Sequence, residues 1–310
     1  MKSDGWRIGV DLGGSKIEAV AINASGAIKV RERRPTPAGD YRKTIAAIVD
    51  LVHSVERQIG MDMEPVPPVG IGIPGSISPA TGLVRNANST CLIGHPLDRD
   101  LAAALGRPVR VENDANCFAI SEATDGAAAG ERVVFGVILG TGVGGGLVVD
   151  GRILTGRNRV GGEWGHNPLP WPRDDERPGP PCYCGRSGCI ETFLSGPGLA
   201  ADYAASGGGA ADAAAIGAAA ASGDDRAEAA IARYEERLAR ALATVINVID
   251  PDAIVLGGGL SNLTRLYETV PKLWKQWVFS DCVHTRLLPP RHGDSSGVRG
   301  AAWLWPAAPS

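Results

Sequence analysis

The chain has 310 residues, with 31 Lys and Arg against 34 Asp and Glu, for a formal net charge of −3. That balance offers no basic face for nucleic acid, and no apolar run approaches the ~20 residues that cross a bilayer. The 42 glycines are about twice the usual frequency of roughly 7% but follow no G-X-Y period, so they mark particular loops. Three cysteines are scattered (Cys91, Cys117, Cys282) and three are crowded (Cys182, Cys184, Cys189), which is not the pattern of a secreted disulfide framework. The length suits two cores. Met1 to Gly5 lead straight into a strand-like run, so no signal peptide and a cytoplasmic location are expected.

Taken in chain order, Ile8, Val10 and Leu12 alternate as a strand, and after Gly13-Gly14-Ser15-Lys16 the run Ile17 to Ile22 completes a hairpin. Ile45, Ile48, Val49, Val52 and Val55 predict a helix from Tyr41 to about Ile59. Val69 to Ile73 reads as a strand ended by Pro74-Gly75, Leu97 to Leu105 as a helix, and Val109 to Val111 as a strand leading into Glu112-Asn113-Asp114. A second strand–glycine–strand unit follows: Val133 to Leu139, then Gly140 to Gly146, then Leu147 to Val149. The two glycine hairpins suggest a duplicated two-domain α/β architecture. Asn167 to Pro181 reads as an irregular loop. The Ala-rich stretch from Leu199 to Tyr234 reads as peripheral helices with little apolar surface, and Arg233 to Ile249 as a better amphipathic helix. Ala253 to Leu256 is a buried-type strand into Gly257-Gly258-Gly259, and Gly297 to Leu304 a last helix.

Closely spaced glycines let backbone N–H groups converge on an anion, and three such loops follow strands here, pointing to a nucleotide cleft. Gly13-Gly14-Ser15-Lys16 lacks the spacing of a Walker A loop. Gly140, Gly142 and Gly145 satisfy G-x-G-x-x-G, but that fingerprint must open a helix and here a strand follows. Lys16 is counted with the loop it closes, with no separate role.

Asp114, at a strand end between Asn113 and Asn116, suits a base that accepts a hydroxyl proton in phosphoryl transfer; a helix N-cap would suit it equally. His166 with Cys182, Cys184 and Cys189 forms a Cys₃His set fit for closed, structural Zn²⁺ coordination. Glu163 and Glu191 flank that cluster and suit sugar hydroxyls; a glycosidase would also use paired carboxylates, but has no use for three glycine phosphate loops.

Asp11-Leu12-Gly13-Gly14-Ser15-Lys16, Asn113-Asp114-Ala115-Asn116, Leu139 to Gly146, Glu163-Trp164-Gly165-His166 and the Cys182–Glu191 segment occur in the order seen in the ROK family (repressors, open reading frames, sugar kinases), which the whole chain resembles. The resemblance implies an actin-like ATPase (ribonuclease H-like) fold with ATP and Mg²⁺ in a cleft between the domains. It divides the chain into a small domain, 1–117, with a C-terminal helix at about 295–310 packing back on it, and a large domain, 118–294, carrying the zinc loop 166–189. Asp114 matches the catalytic base. Asn88, Asn113, Glu163, His166 and Glu191, with Asp114, match sugar-binding positions, and His166, Cys182, Cys184 and Cys189 the zinc ligands. Asp11, Gly13, Gly14, Ser15, Lys16, Gly140, Thr141, Gly142, Gly144, Gly257, Gly258 and Gly259 match the nucleotide loops, with Ser15 where Thr is usual. The implied partners are sugar and ATP, with no nucleic acid or membrane and a homodimer expected. The segments 72–79, 86–90 and 166–171 look most like bacterial fructokinases that also take mannose, so fructose is the expected substrate. An N-acetylhexosamine kinase or glucokinase of the family, or a non-catalytic sugar-sensing regulator, is the alternative. The repressor branch carries an N-terminal helix-turn-helix, and with the first hairpin beginning near residue 7 none is expected here.

Overall fold

A computed structural model describes residues 5–60, 66–87 and 89–305. Strands β1 (Arg7–Leu12) and β2 (Lys16–Ile22) form the expected hairpin, with Leu12 opposite Ile17. Strand β3 (Ile28–Pro35) extends it antiparallel to β2. Sequence periodicity does not reveal β3, because Val30 is its one buried apolar residue. Ion pairs hold the strand instead, with Arg31 and Arg33 meeting the buried Glu18 of β2 at 2.5 and 2.6 Å. Helix α1 (Tyr41–Ile59) starts where the Asp40 carboxylate accepts from the Lys43 N–H, and it buries Ile48, Leu51, Val52 and Val55. Strand β4 (Val69–Ile73) follows, then the short pair β5 (Ser76–Ile77) and β6 (Val84–Arg85), helix α2 (Leu97–Leu105) and strand β7 (Val109–Asn113). The sheet runs β3-β2-β1-β4-β7, with β4 parallel to both β1 and β7.

The second half repeats this plan. Strands β8 (Val133–Leu139), β9 (Val143–Val149) and β10 (Arg152–Ile153), then β11 (Ala253–Gly257) and β12 (Arg286–Leu288), are ordered β10-β9-β8-β11-β12, with β11 parallel to β8 and β12. Each half thus has an antiparallel meander followed by two parallel strands reached by crossovers. This is the duplicated two-domain α/β architecture of the actin-like ATPases.

Two helices join the halves by exchange. Helix α3 (Asp114–Thr124) leaves the first sheet and seats on β8 and β9, while α9 (Ser296–Trp303) leaves the second sheet and seats on β1, β2 and β4. Glycine is required where they dock: a Cβ at Gly70 would lie 1.8 Å from the Ala301 carbonyl oxygen, and one at Gly300 would lie 1.6 Å from that of Cys117. Residues 291–299 clasp this joint. Ser296 Oγ and the Arg291 N–H donate to the buried Glu122 at 2.7 and 3.0 Å, and Arg299 pairs with Asp125. The division expected after residue 117 cuts α3, which runs unbroken to Thr124 and packs Phe118, Ala119, Ile120 and Ala123 against Val134, Val148 and Val255. The last helix spans Ser296–Trp303, and the part of its expected range beyond residue 305 lies outside the described residues.

Helices α4 (Ile190–Leu194), α5 (Gly196–Ala205), α6 (Ala213–Ala221), α7 (Asp225–Ile249) and α8 (Leu266–Leu273) cover the second sheet. The expectation of thin peripheral helices is corrected here. Helix α7 begins at Asp225, capped by Asp224, and Leu199, Tyr203, Ile216, Ala227, Ala230, Ile231 and Tyr234 all enter the main core. Alanine suffices because the helices approach closely enough to fill the space without longer side chains.

Candidate active site

Strand β7 ends in Asn113, whose Oδ1 accepts from the Ala115 and Asn116 N–H groups at 2.9 and 3.4 Å. Asn113, not Asp114, is therefore the N-cap of α3. Asp114 stands in the first turn, at the wall of a cleft of about 660 Å³. Burial pushes its carboxyl up to about 6, with the negative charges of Asp11 and Glu163 adding to the effect against the Ala115 N–H. Asp11 is likewise raised to about 6, by burial and then by Glu18, with Lys16 opposing.

The same cleft gathers Asn113, Gly140, Thr141, Gly142, Gly144, Glu163, His166 and Glu191. Gly144 to Gly146 lie inside β9 rather than in the loop expected there, paired with Ile138, Val137 and Gly136. Their missing side chains admit α3 and the Trp164 ring against the strand. Trp164 is buried edge-on against Phe135 and donates from Nε1 to the Gly144 carbonyl at 3.1 Å, which fixes Glu163 and His166 on either side of it. Glu191, the second residue of α4 and two after Cys189, accepts the Val143 N–H at 2.9 Å, so it braces the glycine hairpin as well as facing the cleft.

Asp11, Gly13, Gly14, Ser15 and Lys16 form the end of the first hairpin, where the Gly13 N–H bonds the Lys16 carbonyl at 2.9 Å and Thr36 Oγ1 donates to the Gly13 carbonyl at 2.7 Å. They do not line this cavity, and Gly14 lines a smaller neighbouring one. Gly257 ends β11, and Gly258, at φ +80°, lies against Leu139 just before the 140–142 turn, with Gly259 beginning a 3₁₀ turn. Asn88 lies outside the described residues.

The ligand atoms of His166, Cys182, Cys184 and Cys189 all fall within 4.8 Å of one another. Cys184 and Cys189 sulfurs are 3.6 Å apart, and His166 Nδ1 is 3.6 Å from the Cys182 sulfur. A tetrahedral Zn²⁺ with bonds of about 2.3 Å separates its sulfurs by roughly 3.8 Å, so the set fits that ion. Among these groups the Arg186 backbone N–H holds the Cys184 thiol down at about 6, while burial pushes Cys189 up to about 12. Cysteine binds Zn²⁺ as thiolate, so occupation of the site would release the thiol protons.

The loop reaching this cluster is irregular, as expected, and an ion cluster pins it. Buried Glu176 accepts from Arg240 Nη2 at 2.7 and 2.9 Å, from Arg237 Nε at 2.8 Å and from the Arg173 N–H at 2.8 Å. These bonds outweigh burial and hold the Glu176 carboxyl at about 2. Its folded value lies below the unfolded one, so its stabilisation is complete above pH ~4.5 and is lost as pH falls towards 2. Glu176→Ala, which removes the buried carboxylate that Arg240 and Arg237 share, is expected to cost about 3–5 kcal/mol in urea unfolding at pH 7, and less at pH 3. An equal loss at both pH values would contradict this account.

Sequence reading missed Asn86, Val160, Tyr183 and Arg186 as cleft residues. Tyr183 had a signal: it stands between two cysteines whose sulfurs turn to the cluster, which sends its own side chain outward.

Residues 7–308 match the ROK family. The chain belongs to the ROK family. It is 42% identical over 300 residues to the N-acetyl-D-glucosamine kinase of Vibrio cholerae, covering 96% of this chain and 98% of that protein. It is 40% identical to that of Photobacterium profundum over the same shares. Among solved ROK structures, a hexokinase from Thermus thermophilus superposes with a TM-score of 0.84 at 30% identity, covering 96% of this chain and 97% of that one. A Streptomyces griseus ROK glucokinase, solved with glucose and AMPPNP, gives 0.77 at 30% identity, covering 97% and 99%.

Proposed function

We propose that this ROK chain is an ATP-dependent N-acetyl-D-glucosamine kinase that phosphorylates the sugar's 6-hydroxyl. Sugar-kinase activity is supported by membership of the ROK family and by the kinases that the chain resembles. The similarity over 96% of the chain to proteins named as N-acetyl-D-glucosamine kinases carries the choice of sugar. It puts the alternative reading ahead of fructose, whose motif resemblances are short segments outweighed by the whole-chain match.

In this mechanism the Asp114 carboxylate accepts the proton of the acceptor hydroxyl as its oxygen attacks the γ-phosphorus. The new P–O bond forms while the bond to the β-phosphate oxygen breaks, and ADP leaves. Glu163 and Glu191 accept from the remaining sugar hydroxyls and so hold the acceptor in line, while His166, with Nδ1 toward the cysteines and Nε2 on the Tyr183 hydroxyl, sets the wall between them. Backbone N–H groups of Thr141 and Gly142 and of Gly14 and Ser15, rather than those of Gly13 and Gly140 that close the two hairpins, would receive the phosphates, with the 257–259 turn beside the nucleoside. Mg²⁺, held through Asp11, would neutralise phosphate charge. Zn²⁺ on His166, Cys182, Cys184 and Cys189 would be structural, because four protein ligands leave no open position.

Asp114 must be ionised to act. With its carboxyl near 6, kcat/KM is expected to fall about tenfold per pH unit below pH ~6 and to level off above it. A profile flat down to pH 5 would exclude Asp114 as the base. The substrate itself is tested by coupled ADP release with N-acetylglucosamine, N-acetylmannosamine, glucose, mannose and fructose. Highest kcat/KM on N-acetylglucosamine is expected; a preference for fructose would return the reading to a fructokinase, and no release with any sugar would favour a regulator.

A further inference from the structure

The cleft walls are carboxylates, amides, an imidazole and glycines, apart from a few apolar side chains. Among the described residues, only two large apolar side chains lining it are half or more exposed: Val160 at 50% and Tyr183 at 79%. An aromatic ring left that bare, beside groups suited to hydroxyls, is unexplained by a ligand that presents hydroxyls alone. It is also held in place. The Tyr183 ring stands edge-on to His166, with centroids 5.1 Å apart and planes at 87°, and its hydroxyl is 2.9 Å from His166 Nε2.

The direction of that hydrogen bond follows from the other side of the imidazole. Nδ1 faces the cysteine cluster, 3.6 Å from the Cys182 sulfur, and an imidazole bound to a metal through Nδ1 carries its proton on Nε2. With a metal on Nδ1, Nε2–H would donate to Tyr183 Oη. The tyrosine's own O–H is left without that acceptor and is available to the cleft. Tyr183 thus offers an apolar face and one hydroxyl donor, fixed side by side.

We propose that Tyr183 is the specificity-determining residue for a 2-acetamido substituent: its ring seats the acetyl methyl and its hydroxyl donates to the acetyl carbonyl. This rests on the N-acetylhexosamine reading above and goes beyond it by assigning the discrimination to one side chain. A plain hexose lacks both the methyl and the carbonyl, so it gains nothing from this residue. The amide of an N-acetyl sugar meets both complementary groups.

The test is kcat/KM for N-acetylglucosamine and glucose in the wild type, Tyr183→Phe and Tyr183→Ala. Calorimetric binding of both sugars without nucleotide, and zinc content, are measured on the same samples. Tyr183→Ala is expected to lower kcat/KM and affinity for N-acetylglucosamine by roughly 10- to 100-fold while changing glucose by less than about threefold. Tyr183→Phe keeps the ring and should lose a smaller part, again on the acetamido sugar alone. Equal losses on the two sugars, or none, would overturn the assignment. If the Ala variant loses its metal, the Phe variant decides by the same criterion. A wild type that ignores N-acetylhexosamines but phosphorylates glucose would instead defeat the substrate reading, a result distinct from unselective variants of an enzyme that prefers N-acetylglucosamine.

Discussion

Asp114→Asn is expected to lower kcat about 10²- to 10⁴-fold while leaving the Kd for sugar within a few fold. The amide keeps the shape of the carboxylate and can accept the Ala115 N–H as Asp114 Oδ1 does at 2.8 Å, but it cannot take up a proton. The same substitution should leave the fold as stable as the wild type, or more so. Burial, Asp11 and Glu163 raise the Asp114 carboxyl to about 6, above its unfolded value of roughly 3.9. The folded state therefore favours the protonated form. The ionised carboxylate opposes folding increasingly from pH ~4 to ~6 and fully above that, by about 2–3 kcal/mol. Removing the charge relieves that opposition. Steady-state kinetics, calorimetry with the sugar, and urea unfolding at pH 7.5 test all three statements. A kcat within tenfold of wild type would remove Asp114 from the mechanism. A large loss of stability would mean that its ion, not its proton chemistry, is what the site needs.

Cys189→Ser is expected to release the metal and to raise the sugar KM by at least 10- to 100-fold, with a lower Tm. Cys189 is buried and directly precedes α4, which opens with Ile190 and Glu191. Loss of the cluster would free His166 on one side and Glu191 on the other, so two cleft residues would lose their setting together. Glu191 also braces the Val143 N–H, and the KM for ATP should rise with that for sugar. Elemental analysis is expected to give about one zinc per wild-type chain and none in the variant. A wild-type protein free of zinc with full activity, or a zinc-free variant with unchanged Tm and KM, would refute the structural role.

The helices and strands with strong apolar periodicity were legible in advance, including Tyr41–Ile59 and the Val133–Leu139 strand. Strand β3 was not, because its pairing depends on Glu18 meeting Arg31 and Arg33 across strands, a signal that carries no apolar period. The glycine runs were legible as functional punctuation, yet Gly144 to Gly146 proved to be paired strand residues against which α3 docks. A glycine that admits an anion and one that admits a helix look alike in sequence, since both are defined by the same missing Cβ.

By itself the sequence determined the elements with strong apolar periodicity, the Cys₃His set, and the residue types able to move a proton and grip hydroxyls, because periodicity and side-chain chemistry are local properties. Its composition held the glycine excess without dividing it between loops and helix seats. The tertiary structure alone decided that Asn113 caps α3 while Asp114 faces the cleft, that α3 and α9 exchange between the two sheets, and that Tyr183 stands against His166. Those outcomes depend on distances between residues far apart in the chain, and close packing fixes such distances only when the whole fold is assembled.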